Sequence, residues 1–134
     1  MSILIPVSAG EVLDKISILE IKAARIADPA KLVNVRAELQ ALRAAWASSA
    51  YAKVDLGAEH AALRRVNEAL WEVEDRLRER ERDGLFDAGF IEQARSVYRI
   101  NDERAAVKRT INLRVGSTLI EEKSYADYRR PAPG

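Results

Sequence analysis

Apolar residues recur along this chain at spacings of three and four, in four blocks separated by Gly, Pro, Asp and small side chains. That spacing keeps one face of a helix apolar, whereas a half-buried strand would alternate with period two. The first block opens on Ser8-Ala9-Gly10-Glu11, which fits a capping box: the Ser8 hydroxyl accepts from the backbone N–H of residue 11, and Glu11 reaches back. A helix is predicted from there to about Ala27. Asp28 as N-cap and Pro29 at the first helical position open a second, with Leu32, Val35, Leu39, Leu42 and Trp46 on one face. A third begins between Asp55 and Ala58 and carries Leu63, Val66, Leu70, Val73 and Leu77. The fourth is predicted from Asp87 or Ala88 to Val115, with Gly116 as a left-handed C-cap. Residues 117–128 read as a short extension of one or two helical turns docked on the bundle, and 129–134 as a frayed tail. Only Ile3 to Val7 would suit a short strand. The pattern predicts an all-α, antiparallel bundle of four main helices with a short C-terminal extension, one domain over residues 1–128.

The buried stripe of the fourth helix is anomalous. Measured from Ala94 at about 100° per residue, Phe90, Val97, Tyr98 and Ala105 form that stripe. Asn101 and Asn112 fall within about 20° of its centre and Lys108 within about 40°. The first helix aims Glu20 inward about 40° from Ile16, and the third flanks Leu70 with Asn67 and Glu74. A polar interior of this kind either specifies register and oligomer state as a structural network, or lines a pocket between helices. In the pocket reading Lys108, Asn101 and Asn112 meet an anionic or hydroxyl-rich molecule that Glu20 or Glu74 orients. The stripe from Asn101 to Asn112 spans about 16 Å, longer than most small metabolites, which favours the network. A buried Lys108 must be paired, and Glu20, Glu74 or the late pair Glu121 and Glu122 are the expected partners.

The first helix has a second face. Asp14, Ile18, Ile21 and Arg25 follow i, i+4, i+7, i+11, so the helix is either central in the fold or pairs with another chain. We take the stripe as a candidate homodimer interface, with a different protein partner as the other option.

Composition narrows the chemistry. The 134 residues hold no Cys, one His and charges that nearly cancel to a net +1. Thiolate metal sites and cysteine nucleophiles are excluded, and nucleic-acid binding is not expected without a basic excess. No run approaches the roughly 20 apolar residues of a membrane span, and the opening residues lack the basic start of a secretory signal, so a cytoplasmic location is the default. His60 stands alone, which supports neither a His-based metal site nor a triad. Glu72 and Asp75 have the spacing by which helical pyrophosphohydrolases hold Mg²⁺, but they point away from the buried stripe and the companion acidic helix is absent. A chorismate mutase-like site fails at Arg25, which faces about 180° from Ile16. Trp46 and Trp71 fit helix packing. No catalytic residue, metal or cofactor is assigned.

Three segments, "VSAGEVLDKISILEIKAARI", "VNEALWEVEDRLRERE" and "FIEQARSVYRINDERAAVKRTINLRVGSTLIEEKSY", carry a resemblance. Together they resemble a bacterial family of short helical proteins classed as a domain of unknown function, marked by a DKI(T/S)ILEIK first helix and a C-terminal EEKSY. The likeness covers most of the chain and is weakest over residues 46–60. It implies no activity or catalytic residues. It does imply a setting among bacterial glycosyltransferase and cell-surface polysaccharide genes. The resulting expectation is a non-enzymatic helical module for self-association or partner binding, accessory to surface-polysaccharide synthesis. The alternative is a small enzyme or ligand binder with a polar pocket around Lys108.

Overall fold

A computed structural model describes residues 1–131. It holds four helices and, among the described residues, no strand: α1 (Ala9–Arg25), α2 (Pro29–Ala47), α3 (Gly57–Asp83) and α4 (Ala88–Val115). The all-α bundle is as the periodicity predicts. Its ends are set by local chemistry. The Ser8 hydroxyl accepts from Glu11 N–H at 3.2 Å, the Asp28 carboxylate from Ala30 N–H at 3.0 Å, and the Asp87 carboxylate from Phe90 N–H at 3.0 Å. Gly84 (φ 65°) and Gly116 (φ 66°) close α3 and α4 in the left-handed region, which costs a residue without a Cβ little. Three details differ from expectation. Glu11 does not reach back to complete the capping box, because its carboxylate is taken by Lys108 at 2.6 Å. Helix α1 stops at Arg25, with Ile26 already extended before the Asp28 cap. Leu56, at the N-cap of α3, offers no side-chain acceptor, and Asp55 serves by accepting from Gly57 N–H at 3.0 Å.

Helix α1 is the centre of the molecule. It packs against each of the other three, α3 and α4 form a long hairpin, and α2 packs beside α1 alone. At 1.5 Å per residue, α3 is about 40 Å long and α1 about 26 Å, so the hairpin projects well past the helix that covers it. Burial follows this geometry. Leu13, Ile16 and Leu19 of α1, Val35 and Leu39 of α2, Leu63 of α3 and Ile111 of α4 share one apolar cluster. Between residues 71 and 107 no side chain is fully buried. The distal part of the hairpin is thus an arm of two helices that no third helix covers.

The ends of the chain are extended. Ile3, Leu4 and Ile5 are exposed and form no strand, because among the described residues no other extended segment pairs with them. Residues 117–131 are not helical but run back along α4: Glu122 pairs with Arg109 at 3.0 Å, Lys123 with Asp102, and Tyr128 packs on Tyr98 with ring centroids 4.9 Å apart. The expected C-terminal extension is docked, then, but by side-chain pairing and not as a helix. The last residues of the expected tail, 132–134, lie outside the described residues.

Candidate functional site

The inward polar residues converge where the start of α1 meets the end of α4. Asp14 is wholly buried. Arg104 grips its carboxylate from both sides: Nε donates at 3.1 Å to Oδ1 and 2.9 Å to Oδ2, and Nη2 donates to Oδ2 as well. From α3, Asn67 Nδ2 donates to Asp14 Oδ1 at 2.9 Å and reaches Ser17 Oγ at 3.4 Å. One turn along α4, Lys108 Nζ donates to Glu11 Oε2 at 2.6 Å and to Glu121 Oε2 at 2.9 Å, with Asp14 Oδ2 at 3.9 Å. Two cations thus sit among three carboxylates contributed by α1 and the C-terminal segment.

The backbone at this end is equally committed. The first N–H groups of a helix have no intrahelical partner. Here Ala9 N–H donates to Ser117 Oγ at 3.2 Å and Gly10 N–H to Asn112 Oδ1 at 2.7 Å, while Glu11 N–H takes Ser8 Oγ and Val12 N–H takes Ser8 O at 3.3 Å. All four donors are satisfied. Gly10 is the residue that permits this approach: a Cβ there would stand 2.5 Å from the backbone oxygen of Lys108.

The charges on the cations are firm. Burial pulls the Lys108 ammonium toward neutrality, but the hydrogen bonds it donates to Glu11 and Glu121 outweigh burial and its pKa is raised. The Arg104 guanidinium is raised mainly by its hydrogen bonds to Asp14. A lysine held as ammonium is neither a base nor a nucleophile at neutral pH. Among the described residues, the buried side-chain oxygens without a partner are Glu59 Oε2 and Gln93 Oε1, and neither belongs to this cluster.

The structure brings together three of the six inward candidates, Lys108, Asn112 and Asn67. Asn101 is half-buried one turn away, lining an open cleft of about 190 Å³ with Ile18, Ile21, Trp71, Glu74 and Arg104. Glu20 is not a partner of Lys108. It turns to the α2–α3 side, where it accepts from or binds His60 Nε2 at 2.8 Å, Arg43 at 3.7 Å and Arg64 at 3.9 Å. Glu74 reaches the surface and pairs with Arg78 at 3.0 Å, the favourable i, i+4 arrangement. Tyr98, expected in the stripe, is 43% exposed, because the arm has no third helix to cover it. In the second stripe of α1, Asp14 and Ile21 are enclosed by the chain's own helices, Ile18 is half-buried, and Arg25 is exposed, with Glu72 at 3.4 Å. The stripe faces α3 and α4 because α1 is the central helix. Asp14, Arg104, Glu11, Ser17 and Ser117 are the members that a single-face reading misses.

A family profile described as "Family of unknown function (DUF6165)" matches residues 3–133, and the chain belongs to that family. No curated protein and no solved structure matches it. Among the described residues no helix is long and apolar enough to cross a membrane, and no group of His, Asp or Glu is arranged to hold a metal ion.

Proposed function

We propose that this member of the family is a single-domain, non-enzymatic helical module that works by association, with a second copy or with a protein partner. One observation carries the reading: the polar cluster around Lys108 is closed on itself. Every charge in it has an opposite charge in contact, and its side-chain polar atoms hold no unpaired buried oxygen. A recognition site for an anion or a sugar keeps donors directed at the ligand, whereas these donors are spent on the chain's own carboxylates. The cluster ties α1, α3, α4 and the C-terminal segment together and leaves the outer helix faces for recognition. The resemblance to a family set among surface-polysaccharide genes supports an accessory place in that synthesis.

The alternative, a ligand binder or small enzyme, draws on the cleft beside Arg104, where Trp71 and Asn101 stand near polar groups. Native mass spectrometry of the purified chain, with and without Lys108→Met, separates the readings. The association reading predicts multimers or a protein complex with no small molecule retained. A bound anion that is lost in Lys108→Met would overturn it.

A further inference from the structure

The hairpin of α3 and α4 has one covered side and one bare side. Helix α1 lies over the side that carries Asn67, Arg104 and Lys108. At about 100° per residue, Arg65 stands roughly 160° from Asn67, and Glu103 roughly 140° from Lys108. On that bare side runs an open groove of about 420 Å³, with Ala62, Arg65 and Ala69 on the α3 rim and Ile100, Glu103 and Val107 on the α4 rim. The described C-terminal residues 117–131 follow the flank of α4 marked by Arg109, Asp102 and Tyr98 and leave it open.

The register of the hairpin is set by ion pairs near its two ends, Arg80 to Asp87 at 2.7 Å and Arg114 to Glu59 at 2.5 Å. Antiparallel order then puts Ala62 level with Val107, Arg65 with Glu103, and Ala69 with Ile100. Ala62 and Ala69 thus oppose the branched Val107 and Ile100, while Val66 and Ala106 line the groove between them. Arg65 and Glu103 are exposed, and neither makes an ion pair among the described residues. Among the described residues, every other arginine of the chain except Arg36 and Arg130 has a carboxylate within reach.

We propose that this groove is the interface with a second copy of the chain, related by a two-fold axis parallel to the helices; the proposal rests on the association reading and names its surface. Such an axis lays each α3 against the α4 of the other copy, in antiparallel order, as in an ordinary four-helix bundle. Arg65 of one copy then meets Glu103 of the other, twice by symmetry. Ile100 and Val107 fill the hollows at Ala69 and Ala62, the large-on-small packing that lets helices approach closely. The other two-fold, perpendicular to the helices, stacks α3 on α3. It would set Arg65 against Arg65 and alanine against alanine, a like-charge contact over a void. Charge and size select the same arrangement. That one groove carries both halves of the match is what marks a second copy, and not an unrelated protein, as the occupant.

The test is analytical ultracentrifugation of the full chain and its charge variants. Wild type should dimerise. Arg65→Glu alone and Glu103→Arg alone should each weaken the dimer by at least about tenfold, because each creates two like-charge contacts. An equimolar mixture of the two single variants should form a heterodimer, and Arg65→Glu with Glu103→Arg in one chain should restore the homodimer. Circular dichroism should match wild type throughout, since both positions are exposed. A dimer unmoved by either single change overturns this interface while leaving association through another face standing. A wild type that stays monomeric into the high-micromolar range overturns the interface and self-association together.

Discussion

The two ends of the α3–α4 hairpin follow opposite rules. At the proximal end three helices and the returning C-terminal segment meet, and polar side chains are buried and paired: Asp14 with Arg104 and Asn67, Lys108 with Glu11 and Glu121. At the distal end two helices meet alone, the apolar residues Val73, Leu77 and Val97 stay half-exposed, and ion pairs such as Arg78 with Glu74 and Arg99 with Glu92 lie in solvent. Burial gives a charge pair its leverage, since exposed pairs contribute little while breaking a buried one leaves a stranded charge. Polar residues therefore hold the proximal end together, and the distal end depends on modest apolar contact between two helices.

That contrast sets the order of mutational effects. Arg104→Met should be the most damaging change, about 3–5 kcal/mol in a denaturant melt, because it strands a fully buried carboxylate. Leu77→Ala in the arm removes a side chain of similar size and should cost about 1 kcal/mol, below the range for a full core position. Equal losses at the two sites would erase the distinction.

Gly10→Ala comes next and sets two effects against each other. Alanine is favoured over glycine in a helix by about 1 kcal/mol. The new Cβ, however, would stand 2.5 Å from the Lys108 backbone oxygen and crowd Asn112 Oδ1, and relieving such overpacking costs about 1–3 kcal/mol. The steric effect should win, with a net loss seen by thermal denaturation. A stabilised Gly10→Ala would mean that α1 and α4 can part without cost.

The third expectation concerns pH. The Lys108 pKa is raised above the ordinary 10.5 in the folded chain, because Glu11 and Glu121 outweigh burial. A raised pKa contributes stability that is complete below the unfolded value and is lost as pH rises through the folded one. Wild type should therefore lose stability between the ordinary lysine value and its raised value, and Lys108→Met should lose less over that window. The difference between the two alkaline melting curves isolates this group from the tyrosines. Parallel curves would show that Lys108 reaches solvent. At neutral pH the same variant should be destabilised, and replacing Glu11 by Gln in addition should recover part of the loss.

The smallest expected effect is dynamic. Amides of 71–83 and 88–100 should exchange with solvent faster than those of α1, since the arm buries little and local opening costs less there. If the bare groove joins two copies, protection of 62–69 and 100–107, which line it, should rise with protein concentration while α1 stays unchanged.

What the sequence disclosed follows from how local each cause is. The limits of α4 and the caps at Ser8, Asp28 and Gly116 are written in a few neighbouring residues, and they stand as read. The inward turn of Lys108, Asn112 and Asn67 follows from helical angle alone, and all three are buried. Partners were harder to read, because they depend on how helices are placed in space. Glu20 does point inward, but toward α2 and α3, where His60, Arg43 and Arg64 take it. Asp14 lies on the side of α1 opposite its main apolar stripe, so a one-faced reading places it at a surface. A helix with three neighbours has no such surface. Arg104 sits beside the α4 stripe and becomes legible only once Asp14 is known to be buried. Glu121 of the late acidic pair, one of the partners expected for Lys108, does close the cluster, whereas Glu11 on the first turn of α1 is the partner not foreseen.

The central claim is that these inward charges are a structural unit held by mutual pairing. A double-mutant cycle on Asp14→Asn and Arg104→Met, followed by denaturant melts, tests it most directly. Each single change should cost about 3 kcal/mol or more, and the double variant should lose at least about 2 kcal/mol less than the two losses added together, since it removes both charges at once. Losses that add to within about 0.5 kcal/mol would show that Asp14 and Arg104 act independently, and the structural unit would not exist.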